Sequence, residues 1–427
     1  MIEKRADSSP LVGQGPPRSV RCSPALVDPH RATEYTQTFN LSDEPAAWAA
    51  SVLAGARLSI LHDLPASEAV WREAMACCSG SVFQTYEWLS AWFETIGTIA
   101  RARACIVHVA SRDGATLLLI PLAIHKRAYG LSLEFFGGDL TDYNLPLVNP
   151  AHAIGSADVE HLWGEILARL PPVDLVRLTR MPLSFDGVPN PLSALRGVAH
   201  ETNAYGAHLP AEFDAFAAAR SEVFFRKNKQ YRRRLEKEGP VRVAFPEEGP
   251  ERLAIIRFLI DHKSRWQQAT GVPNTFGRPE SRAFYEGMTC ATLREGSIST
   301  AGLWVGDELV AGLWGAVFRG RYAFLITSYR TDWSKLSVGR LLIESVIQMC
   351  IARGDLTTFD LTVGEESYKA SWADHTLPLY RYQAARSLRG RAFAAFWQMR
   401  ERIKDWPGLR RSVRAATSLK HRLRNRK

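Results

Sequence analysis

The sequence predicts two tandem α/β domains, each a mixed, mostly antiparallel sheet flanked by helices. Three observations support this. Strand–turn–strand patterns occur at 104–110, 116–125 and 131–136, and again at 300–305, 309–318 and 322–328. Each set of strands is followed by an apolar helix and a short strand: 157–170 then 173–178, and 341–352 then 357–361. The turns Asp113-Gly114 and Gly306-Asp307 lie about 190 residues apart, too long a period for a solenoid and suited to two copies of one domain.

Residues 1–40 are rich in Pro, Gly, Ser and Arg without periodicity, which predicts a disordered tail. The first domain spans 56–210. It opens with a strand at 56–61 and helices at 66–78 and 85–96. In the second helix Trp88, Leu89, Trp92, Phe93 and Ile96 share one face. Gly137-Gly138 breaks the third strand and leads into Thr141-Asp142-Tyr143-Asn144. A basic helix at 222–238 dominates the linker 211–240. It reads either as a solvated connector or as a cationic wall facing an anionic ligand. The second domain spans 241–385 and a basic tail 386–427.

Fourteen Lys and Arg against two acids lie in that tail, more than the whole net charge of +10, so the two domains themselves are nearly neutral. Phe393, Phe396, Trp397 and Ile403 can share a helical face, and Pro407 ends that helix. The expectation is packing of this helix on the second domain, followed by weak contact of the basic end with an anionic membrane surface. No apolar run reaches the roughly 18 residues of a membrane span, and the first residues hold no apolar signal core. The six cysteines form no CxxC pair, and their spacing shows no disulfide framework and no zinc site. The expected compartment is the cytoplasm, with peripheral contact at the inner membrane face through the basic tail.

The chemistry-bearing stretch is 323–372. A strand, then Ser337-Val338-Gly339-Arg340, then a helix from Leu341 makes a helix N-terminus able to receive a phosphate chain. The bland alternative is a simple helix cap. A Walker loop and a dinucleotide fingerprint are both missing. His262 and His375 are isolated and no GxSxG occurs, which argues against Ser–His nucleophilic catalysis. Asp360 on the next strand and Glu365, Tyr368 and Lys369 just after it form a titratable cluster. Its bland reading is a solvated loop in which Lys369 pairs with a glutamate.

Taken together, the strands, small-residue loop, helix and strand resemble the core of GNAT acyltransferases. Tyr329, then Ser337, Gly339, Leu341 and Leu342, then Phe359-Asp360, Gly364, Tyr368-Lys369 and Trp372 resemble the CelD-type branch, linked to cellulose and exopolysaccharide biosynthesis. Thr141-Asp142-Tyr143 is similar to that branch as well, and the likeness covers roughly 57–385. The branch is related in fold to Fem-type aminoacyl ligases. The resemblance implies acetyl-CoA or another acyl-CoA as donor and no metal. Ser337, Val338, Gly339, Arg340 and Leu341 would hold the pyrophosphate. The backbone from Leu325 through Ile326 and Thr327 to Ser328 would supply oxyanion donors. Asp360 or Glu365 would act as base or orient the acceptor, Tyr368 would protonate the leaving thiolate, and Lys369 would hold an acidic acceptor or a phosphate. Asp142, Tyr143, Tyr329 and Trp372 would line the acceptor site, although Asp142-Tyr143 reads equally well as a capped turn. Lacking a glycine-led helix, the first half is expected not to bind the donor. The acceptor would be an amine or hydroxyl on a sugar, polysaccharide precursor or related small molecule. The alternatives are a Fem-like ligase drawing on charged tRNA, or a non-catalytic scaffold of a polysaccharide synthase. DNA is not an expected partner.

Overall fold

The computed structural model describes residues 36–41, 51–152 and 154–404. The first half contains β1 (Thr36–Asn40), β2 (Arg57–Leu61), α1 (Glu68–Cys77), α2 (Tyr86–Trp92), β3 (Arg103–Ala110), β4 (Thr116–Arg127) and β5 (Gly130–Phe135). It continues through α3 (Ser156–Arg169), β6 (Leu175–Pro182) and β7 (Ala199–His208). Helices α4 (Phe213–Ala218) and α5 (Glu222–Glu238) lead to β8 (Val241–Ala244), α6 (Pro250–Thr270) and α7 (Pro279–Cys290). The rest of the second half is β9 (Ser297–Val305), β10 (Glu308–Phe318), β11 (Arg321–Tyr329), α8 (Val338–Arg353), β12 (Thr358–Val363), β13 (His375–Ala385) and α9 (Leu388–Lys404).

One continuous sheet runs β1-β2-β3-β4-β5-β6-β13-β7-β12-β11-β10-β9-β8, with the short strand Leu147–Val148 beside β4. The two halves exchange their ends. β13, late in the chain, pairs antiparallel with β6 of the first half. β7, late in the first half, pairs antiparallel with β12 of the second. A boundary near residue 210 therefore cuts through the sheet rather than between two sheets. All ladders are antiparallel except two short ones. β5 and β6 pair in parallel only from Ser132–Leu175 to Glu134–Arg177, and β11 and β12 only from Arg321–Thr358 to Ala323–Asp360. Beyond these points the strands part, so each half contains a divergent pair.

The halves also share one core. Trp88 on α2 meets Phe284 of α7 at 5.4 Å and Trp314 of β10 at 5.8 Å, and all three are buried. The edge-to-face and tilted contacts suit the ring quadrupoles.

Several expectations change. Thr36–Asn40 is an edge strand on β2 rather than part of a disordered tail, and residues 1–35 lie outside the described residues. Helix α8 starts at Val338, three residues before the apolar run suggests. α9 packs on the first half, not the second: Phe393 stacks on Tyr129 at 3.6 Å and Trp397 lies under Arg177. The strand exchange is the cause, because β13 delivers the chain beside β6. The basic end expected to touch a membrane falls outside the described residues. Among the described residues no helix is long and apolar enough to cross a membrane.

A shared core implies joint unfolding. Trp88→Ala should remove about 3–5 kcal/mol and shift a single denaturation transition read by both fluorescence and circular dichroism. Two separated transitions would show that the halves unfold independently.

Candidate functional site

The divergence of β11 and β12 sets the site. β11 pairs with β10 along its whole length, with a bulge that leaves Leu325 unpaired between Phe324 and Ile326. Its opposite edge loses β12 after Ala323. The Thr362 hydroxyl captures the Phe324 carbonyl at 3.1 Å, and beyond it the edge from Leu325 to Ser328 is open to a ligand. Thr362 itself has φ 58°, a left-handed conformation that a β-branched residue adopts at a cost of about 1–3 kcal/mol. It is held there by its N–H, which donates to Asp360 Oδ1 at 2.8 Å, and by the register shift against β7.

The donor loop follows β11. Ser337 also takes a left-handed conformation, φ 52°, and turns the chain into α8. The Arg340 and Leu341 N–H groups donate back to the Ser337 carbonyl. This leaves the Val338 and Gly339 N–H groups at the head of the helix, where an anion is stabilised. A Cβ at Gly339 would lie 2.9 Å from Tyr329 Cδ1, so a side chain there would displace the Tyr329 ring. Tyr329 is exposed and walls this end of the groove. Val338 and Leu341 are buried and anchor the turn, as Ile326 does on β11. Leu325 and Thr327 are half-buried, and the Thr327 hydroxyl donates to Gly312. Arg340 does not point to the groove. Its guanidinium stacks on Phe224 at 3.4 Å and donates to the Phe224 carbonyl, and burial lowers its pKa. Helix α5 is thus docked on α8, with further bonds from Asn228 to Glu344 and from Arg232 to Ser345.

Four site assignments change once burial is seen: those of Asp360, Tyr143, Trp372 and Lys369. Asp360 is not an accessible base. It is buried, accepts from Tyr143 Oη at 2.6 Å and Thr362 N, and pairs with Arg321 at 3.0 Å. Arg321 in turn bonds Asp186 of the first half. Tyr143 is likewise buried rather than lining a cleft, and burial together with Asp360 raises its phenol far above the ordinary value. Trp372 is core: it meets Phe224 at 4.8 Å and Phe225 at 6.0 Å, and its carbonyl accepts from Arg220. Lys369 is buried, and its ammonium donates to the Val363 and Thr362 carbonyls and pairs with Glu366 at 3.0 Å. Three partners match its three donors, so none remains for a phosphate. Glu365 is exposed on the loop after β12.

Two candidates stay at the open groove. Tyr368 is 37% exposed, with its ring edge to Phe324 at 6.4 Å, and burial and the Glu366 charge raise its pKa. Asp142 is half-buried, 3.7 Å from Arg180. Burial raises its pKa, Asp360 adds to this, and Arg180, the Thr362 hydroxyl and Lys369 oppose it. The sequence reading missed Arg321, Asp186, Thr362 and Lys263 of α6. Burial lowers the Lys263 pKa; Glu366 opposes this and Lys369 adds to it. Only Thr362, inside the Phe359–Gly364 stretch, was within reach of the motif.

Residues 224–370, about a third of the chain, match the family model of an acetyltransferase (GNAT) domain. Curated protein sequences give no match. Among solved structures, FemX is 9% identical, with a TM-score of 0.51 over 73% of this chain and 94% of that one. L-PGS from Bacillus licheniformis is 14% identical, with a TM-score of 0.46 over 75% and 93%. A tandem GNAT protein from the clavulanic acid biosynthesis pathway is 12% identical, with a TM-score of 0.44 over 82% and 99%. The fold class is α/β with tandem GNAT-like domains: the second half matches the domain, and the first repeats its order of elements and its divergent strand pair.

The network predicts a structural role for Asp360. Asp360→Ala should destabilise the protein by about 3–5 kcal/mol by leaving the Arg321 charge half-paired. Chemical denaturation measures this, and an unchanged midpoint would show that the network carries no stability.

Proposed function

We propose that this chain is an acyltransferase that moves an acetyl or other acyl group from coenzyme A to an amine or hydroxyl of a sugar, polysaccharide precursor or related small molecule. The observation that carries the reading is the parting of β11 and β12 after Ala323 and Asp360, with the α8 N-terminus beside the end of β11. The donor's pantetheine arm would lie along the open edge of β11 and its pyrophosphate on the Val338 and Gly339 N–H groups. The saccharide part of the proposal rests on the likeness of the Phe359–Trp372 stretch to the CelD-type branch.

In the proposed step the Asp142 carboxylate takes the proton of the acceptor as its nitrogen or oxygen attacks the thioester carbonyl. The negative charge passes to the carbonyl oxygen, which faces the backbone N–H groups of the Leu325–Ser328 edge. The C–S bond then breaks, and Tyr368 gives its proton to the departing thiolate. A phenol held protonated by burial suits that donation, and a carboxyl raised by burial suits the base. Lys263 and Glu366 would form the outer wall, where a polar acceptor enters.

Gly339→Asp should abolish coenzyme A binding, because the new side chain meets Tyr329 and its charge repels the pyrophosphate. Calorimetry decides this, and undiminished affinity in a folded variant would remove the loop from the donor site. If the ligand carried through purification is charged tRNA rather than coenzyme A, by mass spectrometry, the donor assignment fails.

Asp142→Asn should lower kcat/KM about 10²–10⁴-fold. In the unaltered enzyme the rate should fall as pH drops through the raised Asp142 pKa, since only the ionised form accepts a proton, and this acid limb should vanish in the variant. A retained acid limb at full rate would move the base elsewhere. Tyr368→Phe should lower turnover more than donor affinity, and equal turnover would demote it to packing.

A further inference from the structure

The first half holds a divergent strand pair without the donor loop. β5 and β6 part after Glu134 and Arg177, and a cleft of about 430 Å³ opens there. In the second half β11 leads through one short turn into α8; in the first, the turn Gly138–Leu140 and the strand Leu147–Val148 come between β5 and α3, and the head of α3 at Gly155 does not line the cleft. The cleft nevertheless carries the marks of a built site.

His125 lies in its wall, 2% exposed, and its Nε2 has no hydrogen-bond partner. The Gln383 amide nitrogen, from the exchanged strand β13, lines the same cleft and is also buried without a partner. Buried polar groups are normally satisfied, so two of them on residues that line one cleft point to a ligand. Arg177 and Arg278 line the cleft too, and neither forms a salt bridge among the described residues. Arg278 stands at the N-cap of α7, adding a helix N-terminus to the positive field. The Arg127 charge is spent on Glu134, which burial would raise but Arg127 holds below its ordinary value. Asp139 is the other carboxylate in the lining. Trp397, lying under Arg177, and the stacked Tyr129–Phe393 pair give the cleft an aromatic wall, and the buried Trp92 borders it from the core.

We infer that this cleft binds an anionic ring compound, a phosphomonoester carried on a sugar or a nucleoside. The ring stacks on the aromatic walls, the phosphate meets Arg177, Arg278 and the head of α7, and ring hydroxyls or carbonyls satisfy His125 and Gln383. α9 contributes Phe393 and Trp397, so the exchanged end of the chain completes the site. The segment 139–144 separates the two clefts: Asp139, Leu140 and Asn144 line the first, while Asp142 lies against Thr362 in the second. None of the donor-groove residues 325–328 and 337–341 lines this cleft, so the two are separate sites.

The test is calorimetry of the full chain with uridine monophosphate, glucose phosphate and inorganic phosphate. At least one ring phosphate should bind more tightly than inorganic phosphate, and the better of the two identifies nucleoside or sugar as the source. Arg278→Ala, at an exposed position, and Gln383→Leu should each weaken that binding about tenfold, while Gly339→Asp should leave it unchanged. Three results would overturn the inference: no binding of either ring phosphate, equal binding of inorganic phosphate, or loss of binding in Gly339→Asp. The last would place the anion in the donor groove.

Discussion

A strand lent by the other half keeps β12 away from β11. The β11–β12 ladder ends after three residues, and irregularities on both strands coincide with its end: the β11 bulge at Leu325 and a register shift of β12 against β7. β12 is bound on its far edge by β7, with a register shift at Tyr205–Gly206. The bulge this creates puts Thr362 in the left-handed region and turns its hydroxyl onto β11. The groove thus opens where the bulge of β11 and the β7-paired bulge of β12 coincide. The mirrored arrangement, β13 between β6 and β7, opens the cleft of the first half.

Charge is buried at the same junction because both halves meet there. Arg321 starts β11 and Asp360 lies in β12, while Tyr143 and Asp186 come from the first half. An isolated carboxylate in this position would be prohibitively unstable, and the guanidinium, phenol and backbone N–H together satisfy it. The arrangement fixes the relative position of the halves more sharply than apolar packing around Trp88 does, since hydrogen bonds have direction and ring contacts have little. It also carries the 139–144 segment to the groove, which is how Asp142 reaches Thr362.

The elements with regular patterning were legible in the sequence. The strand triplets of both halves and the helices following them show the apolar patterns expected of a sheet buried by helices, and the bounds of α5 coincide with its basic run. The exchanged strands were not legible. β7 reads AHETNAYGAH and β13 reads HTLPLYRYQAA, with neither strict alternation nor a turn to announce them, because their pairing depends on distant strands rather than on local pattern. The site was legible as a stretch but not as roles. Asp360 and Lys369 drew notice as titratable residues on and just after the strand that follows the helix, and Trp372 through its likeness to the CelD-type motif, yet burial decides what each does, and one sequence does not display burial.

The motif that pointed to the site is in large part a folding motif. Asp360 locks the two halves, Gly364 adopts φ 125° where a Cβ would strike Glu366, Lys369 caps the end of β12, and Trp372 fills the space under α5. Tyr368 alone of the group keeps its side chain at the groove. Residues packed this tightly hold the groove open at the end of β12, and the two groups proposed to do the chemistry, Tyr368 and Asp142, come from opposite halves. A reactive geometry then requires the two halves to be locked, so the buried network and the chemistry at the rim form one device.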